Sequence, residues 1–230
     1  MARTRMKTPA DFPYLLFRHN SPLARPSRAA EEYQANKAHN LQIACRKIDG
    51  IVVRPGEVLS FCRLVGPTPR SRGYFPALTL IGDRLQALTG GGLCQLSNMI
   101  YWMALHLGFE TVERHRHSYD LFPDVNRTVP FGCGATVFYN YVDLVVKNTL
   151  EFPVGFGFRV MDGMLVGEAY GACPLPFEVR VYETDHEYYD SVDGKRRRNK
   201  IWRRVAGPGG PPRVELVAEN DCRVTYEVSV

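Results

Sequence analysis

At 230 residues, with 45% hydrophobic and 11% aromatic side chains, the chain can bury a sizeable core as one large domain or one domain with an appendage. Its apolar runs, such as MIYWMAL, fall far short of the roughly 20 residues that span a bilayer, and the opening MARTRMKTPADFPYLLF holds charges but no apolar signal core, so a cytoplasmic location is expected. The net charge of +5 is local: Lys195, Arg196, Arg197, Arg198, Lys200, Arg203 and Arg204 supply seven positives, and without them the balance is −2. Six cysteines, with no CxxC pair, argue for reduced thiols rather than a disulfide frame.

In chain order, residues 1–30 hold four prolines and several arginines and read as an irregular arm. Residues 29–49 lack Pro and Gly, bring Tyr33, Lys37, Leu41, Ala44 and Ile48 round at helical spacing, and meet Gly50, which predicts a helix. IVVRPGEVLSF reads as short extended pieces, and YFPALTLIGDRLQAL as a hairpin about Gly82 and Asp83. From Cys94 to Leu107, Leu96, Met99, Ile100, Met103 and Leu107 recur at helical steps while Tyr101, Trp102 and Leu105 make the other faces apolar, so this helix should be central and buried, ending at Gly108. ATVFYNYVDLVVKN reads as a long core strand, and Asp162-Gly163 as the strongest hairpin signal. FEVRVYETDHEYYD, KIWRRV and RVELVAENDCRVTYEV add antiparallel strands. The expected class is α+β, with N-terminal helices, one of them central and buried, packed on a mixed or antiparallel sheet and followed by C-terminal antiparallel strands. The expected divisions are an arm at 1–30, a core at 31–172 and a β extension at 173–230.

The stretch TGGGLCQLSN places Gly90, Gly91 and Gly92 directly before Cys94 at the start of the buried helix. Unpaired N–H groups and the dipole at a helix start favour an anion there, so the thiol should lean towards thiolate. Bare backbone at 90–92 would let a substrate lie close and would offer N–H groups to an oxyanion, with Gln95 beside the thiol as a further substrate contact. VERHRHSYD supplies His115 and His117 on one face of an extended segment, either of which could act as base, with Asp120 or a carbonyl as orienter and Arg116 and Ser118 as substrate contacts. His106, within the helix, is expected only to pack. The bland alternative is a structural cysteine. A zinc reading of Cys94, His115 and His117 has the ligand types but lacks compact spacing, and neither metal nor cofactor is expected. Residues 195–204 could meet an anionic head group, although a solvated loop or hairpin tip is the commoner outcome for such a run; no groove-reading motif accompanies it, which argues against nucleic acid.

RPGEVLSF, LVGPTPRSRGY, GGGLCQLSNMIYWMALHLG, VERHRHSYD and GATVFYNYVDLVVKN, in that order, resemble the VanW family, named for an accessory gene of vancomycin-resistance clusters. The resemblance covers roughly residues 30–172, and the C-terminal part is similar to the extension of stand-alone members. It implies L,D-transpeptidase-like chemistry on peptidoglycan stem peptides or their precursors through a thioester at Cys94, with His117, in the family's His-Ser step with Ser118, as base. Relatives often place an Asp just before Ala-Thr-Val where this chain has Gly134, so an orienting carboxylate would come from Asp120. The competing expectation is a non-catalytic accessory protein of glycopeptide resistance that binds a precursor or partner.

Overall fold

In the computed structural model of the chain, residues 1–6, 11–23, 31–82, 84–120 and 128–227 are described. Strands β1 (Thr4–Arg5) and β2 (Tyr14–Pro22) precede helix α1 (Glu31–Ile48). Strands β3 (Ile51–Val53) and β4 (Val58–Ser60), the short helix α2 (Phe61–Val65), and strands β5 (Pro76–Ile81) and β6 (Arg84–Thr89) lead to helix α3 (Cys94–His106). Then come β7 (Glu110–Glu113), β8 (Tyr119–Asp120), β9 (Val145–Lys147), β10 (Val154–Met161) and β11 (Met164–Gly171). Three long strands, β12 (Glu178–Ser191), β13 (Gly194–Ala206) and β14 (Arg213–Val224), complete the chain. The class is α+β, as the pattern of helices early and strands late implies.

The main sheet has the order β1-β3-β10-β11-β2 and is antiparallel throughout. Its centre is the β10–β11 hairpin, which turns at Asp162 (φ 51°) and Gly163 (φ 71°), the two left-handed residues a tight hairpin needs. Among the described residues of the expected irregular arm, Thr4–Arg5 and Tyr14–Pro22 are strands, and residues 7–10 lie outside the described residues. Tyr14–Pro22 pairs with β11 as an edge strand despite the flanking prolines, while residues 24–30 lie outside the described residues. The proline at each end of β2 sits where no interior ladder bond is lost.

Helix α1 buries Leu41, Ala44, Cys45 and Ile48, carries acids in its first turn and bases in its last, and ends where Gly50 turns left-handed at φ 75°. Helix α3 is buried nearly all round, with Leu96, Met99, Ile100, Tyr101, Met103 and Leu105 at 2% exposure or less. A long core strand across 135–147 does not form. Asn140, left-handed at φ 66°, folds Phe138–Val142 into a tight hairpin, and only Val145–Lys147 joins a sheet, between β4 and β7.

The basic run is neither a loop nor a hairpin tip but the strand β13, central between β12 and β14. Lys195 pairs with Asp190, Arg196 with Asp193 and Asp221, Arg197 with Asp120, Arg198 with Glu187, Lys200 with Asp185 and Arg203 with Glu215. A central strand brings carboxylates from both neighbours, which the run read alone does not reveal. Arg203 also donates to the carbonyls of Leu105 (3.3 Å) and Phe109 (2.8 Å), tying this sheet to the end of α3. No helix of the described residues is long and apolar enough to cross a membrane.

His106 stacks on Phe17 at 4.4 Å and meets the edge of Trp102, and burial holds its pKa down at about 4. The native ring therefore stays neutral where an unfolded imidazole, near 6.5, takes up a proton. Its stabilising contribution is complete above about pH 6.5 and is lost as pH falls towards 4. Urea denaturation should show stability declining by on the order of 2 kcal/mol across that window, discounting for the ring's partial exposure. His106→Phe should flatten the decline; an unchanged slope would refute this source.

Candidate functional site

Strand β6 ends at Thr89, and the chain enters α3 through Gly90–Leu93. Gly90 (φ 79°) and Gly92 (φ 86°) adopt the left-handed backbone that glycine tolerates best. The space a side chain would fill is already occupied. A Cβ on Gly90 would lie 2.3 Å from Thr68 Oγ1, one on Gly91 2.0 Å from the Ala77 carbonyl oxygen, and one on Gly92 2.5 Å from Lys37 Cγ. The three glycines thus let β5, α1 and the Thr68 segment close on the loop, which corrects the expectation of an empty hollow for substrate. The Gly90 N–H donates to Phe75, that of Gly91 to Leu88, and the Gly92 carbonyl accepts from Gln95. Among the described residues the N–H groups of Gly92 and Leu93 have no acceptor.

Cys94 is the first residue of α3 and is partly exposed, with Sγ 4.0 Å from the Val137 carbonyl. The segment holding Val137 is clamped to the helix. Ser97 Oγ donates to Ala135 (2.6 Å), and Asn98 Oδ1 accepts from the Ala135 N–H at 2.6 Å. Arg114 donates to the carbonyls of Gly132 and Gly134 and lies over the Tyr101 ring. The thiol is pushed up from its ordinary range by desolvation, against the expectation of a thiolate. Enclosure by the 135–137 segment outweighs the helix start because a neutral thiol avoids the cost of a desolvated charge.

The candidates of the segment 113–120 diverge. His115 bridges Thr136, next to Val137, through the backbone, and its Nε2 lies 3.0 Å from Glu113 Oε1. His117 gives its carbonyl to the Cys222 thiol, is half-buried, and has its pKa lowered by desolvation. Neither ring hydrogen-bonds Cys94 Sγ. Arg116 reaches Asn220 Oδ1 at 3.4 Å, and the Ser118 carbonyl accepts from Arg223, so both face the C-terminal sheet. Asp120 is 5% exposed and engaged by Arg197 (3.0 Å) and Tyr226 (2.8 Å), which makes it a pin between β8 and β13. Gln95 Nε2 donates to Ser21 Oγ (2.8 Å) and the Pro22 carbonyl (2.9 Å), fastening the end of β2, while its buried Oε1 has no partner among the described residues.

Two acids that the sequence reading passed over stand close to this site. Asp143 accepts from Ser60 Oγ (2.5 Å) and from the N–H groups of Cys62 and Leu144 (both 2.8 Å), and its own N–H donates to Glu113 Oε1 at 3.0 Å. The sequence carries a signal for Asp143: a lone acid following VFYNYV, where an apolar strand would have no use for one. The Cys62 thiol donates to the Val142 carbonyl at 3.6 Å and is pushed up to about 12 by burial, then by Asp143, Glu113 and Cys94. Cys62, from α2, and Cys94, from α3, therefore contact the two strands of one hairpin stem, because Phe138 and Val142 bridge each other. Among the described residues no group of three His, Cys, Asp or Glu side chains is arranged to hold a metal.

The chain is 29% identical over 217 residues to the vancomycin B-type resistance protein VanW of Enterococcus faecalis (strain ATCC 700802 / V583), a match covering 93% of this chain and 79% of that protein. It is 28% identical over 140 residues to the uncharacterized protein YoaR of Bacillus subtilis (strain 168), which is 60% of this chain and 44% of that one. No solved structure matches. A family model described as VanW like protein matches residues 36–170, a span that contains the glycine loop, Cys94, both histidines and Asp143 and more than half of the chain, and the chain therefore belongs to the VanW family.

Proposed function

We propose that the chain is a cysteine-dependent acyltransferase or hydrolase acting on peptidoglycan stem peptides or their cytoplasmic precursors. The observation that carries this reading is the place of Cys94: the first residue of a buried helix, beside the N–H groups of Gly92 and Leu93, which have no acceptor among the described residues. Donors of this kind would stabilise the oxyanion formed when that sulfur attacks a carbonyl.

With the thiol held above its ordinary pKa and His117 below its own, the resting pair is neutral at pH 7. Activation then accompanies attack rather than preceding it. As the sulfur–carbon bond forms to the stem-residue carbonyl, the thiol proton passes to the neutral His117 ring, brought onto Sγ in the substrate complex. The tetrahedral intermediate collapses, the carbon–nitrogen bond to D-Ala breaks, and the departing amine takes the proton from the imidazolium. An amine or water then attacks the thioester, gives its proton to His117, and the released sulfur is reprotonated. His115, oriented by Glu113, is the second candidate for this proton transfer.

A second reading, a non-catalytic accessory protein of glycopeptide resistance, is favoured by the absence of an imidazole hydrogen bond to Sγ. The relative's name links that protein to vancomycin resistance, and this reading extends the link to the present chain. Cys94→Ala separates the two. Under the enzymatic reading it removes turnover of a stem tetrapeptide by about a thousandfold or more, with the melting temperature unchanged. Retained turnover would rule that reading out, and an unchanged resistance phenotype would support the accessory one.

A further inference from the structure

A cleft of about 600 Å³ opens beside the Phe138–Val142 hairpin, with Arg3, Arg63, Glu113, Tyr139, Tyr141 and Asp143 among its walls. Its charges are not equally available. Asp143 accepts three hydrogen bonds from Ser60, Cys62 and Leu144, and Glu113 Oε1 takes up the Asp143 N–H and the His115 ring. The cations are uncommitted. Arg63 is exposed and donates to Met1 Sδ at 3.8 Å, a weak acceptor, and among the described residues neither Arg63 nor Arg3 faces a carboxylate. The acids are thus satisfied by the fold and the guanidinium groups are left to the cleft. Tyr139 at 39% and Tyr141 at 79% exposure stand at its rim, with more ring surface in water than folding requires.

We propose that this cleft binds the free carboxylate of a peptide ligand through Arg63 and Arg3, with the tyrosine rings covering the adjoining backbone. A guanidinium fork matches a carboxylate in two parallel hydrogen bonds, and aromatic rims supply contact area at low entropic cost. Cys62, which lines the cleft, bonds Val142 on one strand of the hairpin stem, and Cys94, outside the lining, contacts Val137 on the other. A carboxylate seated here belongs to a ligand whose next carbonyl lies towards Cys94. Resting on the acyl-transfer reading, the ligand is an acyl donor ending in a free amino-acid carboxylate, which is lost with the leaving group.

The test is calorimetric titration of the Cys94→Ala chain with an acetylated lysyl-D-alanine peptide, with its C-terminal amide, and with inorganic phosphate, each repeated on Arg63→Ala and Arg3→Ala backgrounds. The free acid should bind at least tenfold more tightly than the amide, Arg63→Ala should abolish that difference, and Arg63→Lys should restore only part of it. Equal binding of acid and amide, or an acid preference unaffected by both arginine variants, would overturn the proposal. Tight phosphate binding with no preference for the peptide acid would replace it with a plain anion site. Turnover by the native chain is scored separately. Turnover without an acid preference defeats the cleft and spares the acyl transfer, whereas an Arg63-dependent acid preference without turnover does the reverse.

Discussion

Gly91→Ala is expected to destabilise the chain by roughly 3 kcal/mol, a fall in melting temperature on the order of 6–12 °C for a chain of this size. The backbone at Gly91 is not left-handed, so alanine meets no conformational penalty there; the cost is steric. An added Cβ would sit 2.0 Å from the Ala77 carbonyl oxygen and 2.7 Å from Thr79 Oγ1, and a strand carbonyl has no rotamer to escape into. The Gly91 carbonyl also accepts from the buried Asn40 Nδ2, so any retreat of the loop strains that bond. Gly92→Ala makes the comparison: its left-handed φ costs about 1 kcal/mol, and its clash is with Lys37 Cγ at 2.5 Å, near the base of a side chain whose Nζ donates to the Leu23 carbonyl, so what must shift is a side chain and not strand backbone. Thermal melts showing Gly91→Ala within 1 kcal/mol of the native chain would mean that the loop is looser than described and could admit a substrate backbone.

Asp120→Ala should cost about 3 kcal/mol or more, because it leaves the guanidinium of Arg197, itself 1% exposed, without its buried carboxylate. Tyr226 Oη loses its acceptor as well, whereas the Thr225 N–H and hydroxyl, which bond the Asp120 backbone carbonyl, keep theirs. Replacing both partners with apolar residues should cost less than removing Asp120 alone, since no unpaired charge remains. Urea titration measures the stability, and turnover by the folded fraction distinguishes a pin from an orienter. A pin loses stability and keeps activity per folded molecule; an orienting carboxylate shows the opposite, which would return Asp120 to the catalytic group.

The elements legible in the sequence are those governed by local spacing. Leu96, Met99, Ile100 and Met103 specify α3, Gly50 ends α1, and Asp162-Gly163 sets the hairpin that forms the centre of the main sheet. The failures lie where distant partners decide. The arginines of 195–204 read as a patch because their carboxylates come from β8, β12 and β14, up to 77 residues away for Asp120. VFYNYVD reads as strand because its residues favour strands, yet Asn140 tolerates a left-handed turn and Asp143 gains three donors by ending one. The glycines before Cys94 were recognisable as a demand for bare backbone, but what approaches that backbone, Thr68, Ala77 and Lys37, is tertiary information. The same holds for the thiol: a helix start is visible in sequence, whereas the desolvation that opposes it comes from the 135–137 segment.

The most direct measurement is to mix the native chain with a stem tetrapeptide, quench in acid within the turnover time, and map the protein by mass spectrometry. An acyl adduct on the peptide carrying Cys94, released by hydroxylamine and missing from Cys94→Ala, is the predicted result. Consumption of the tetrapeptide with Cys94 unmodified, or an adduct confined to Cys62, would contradict it.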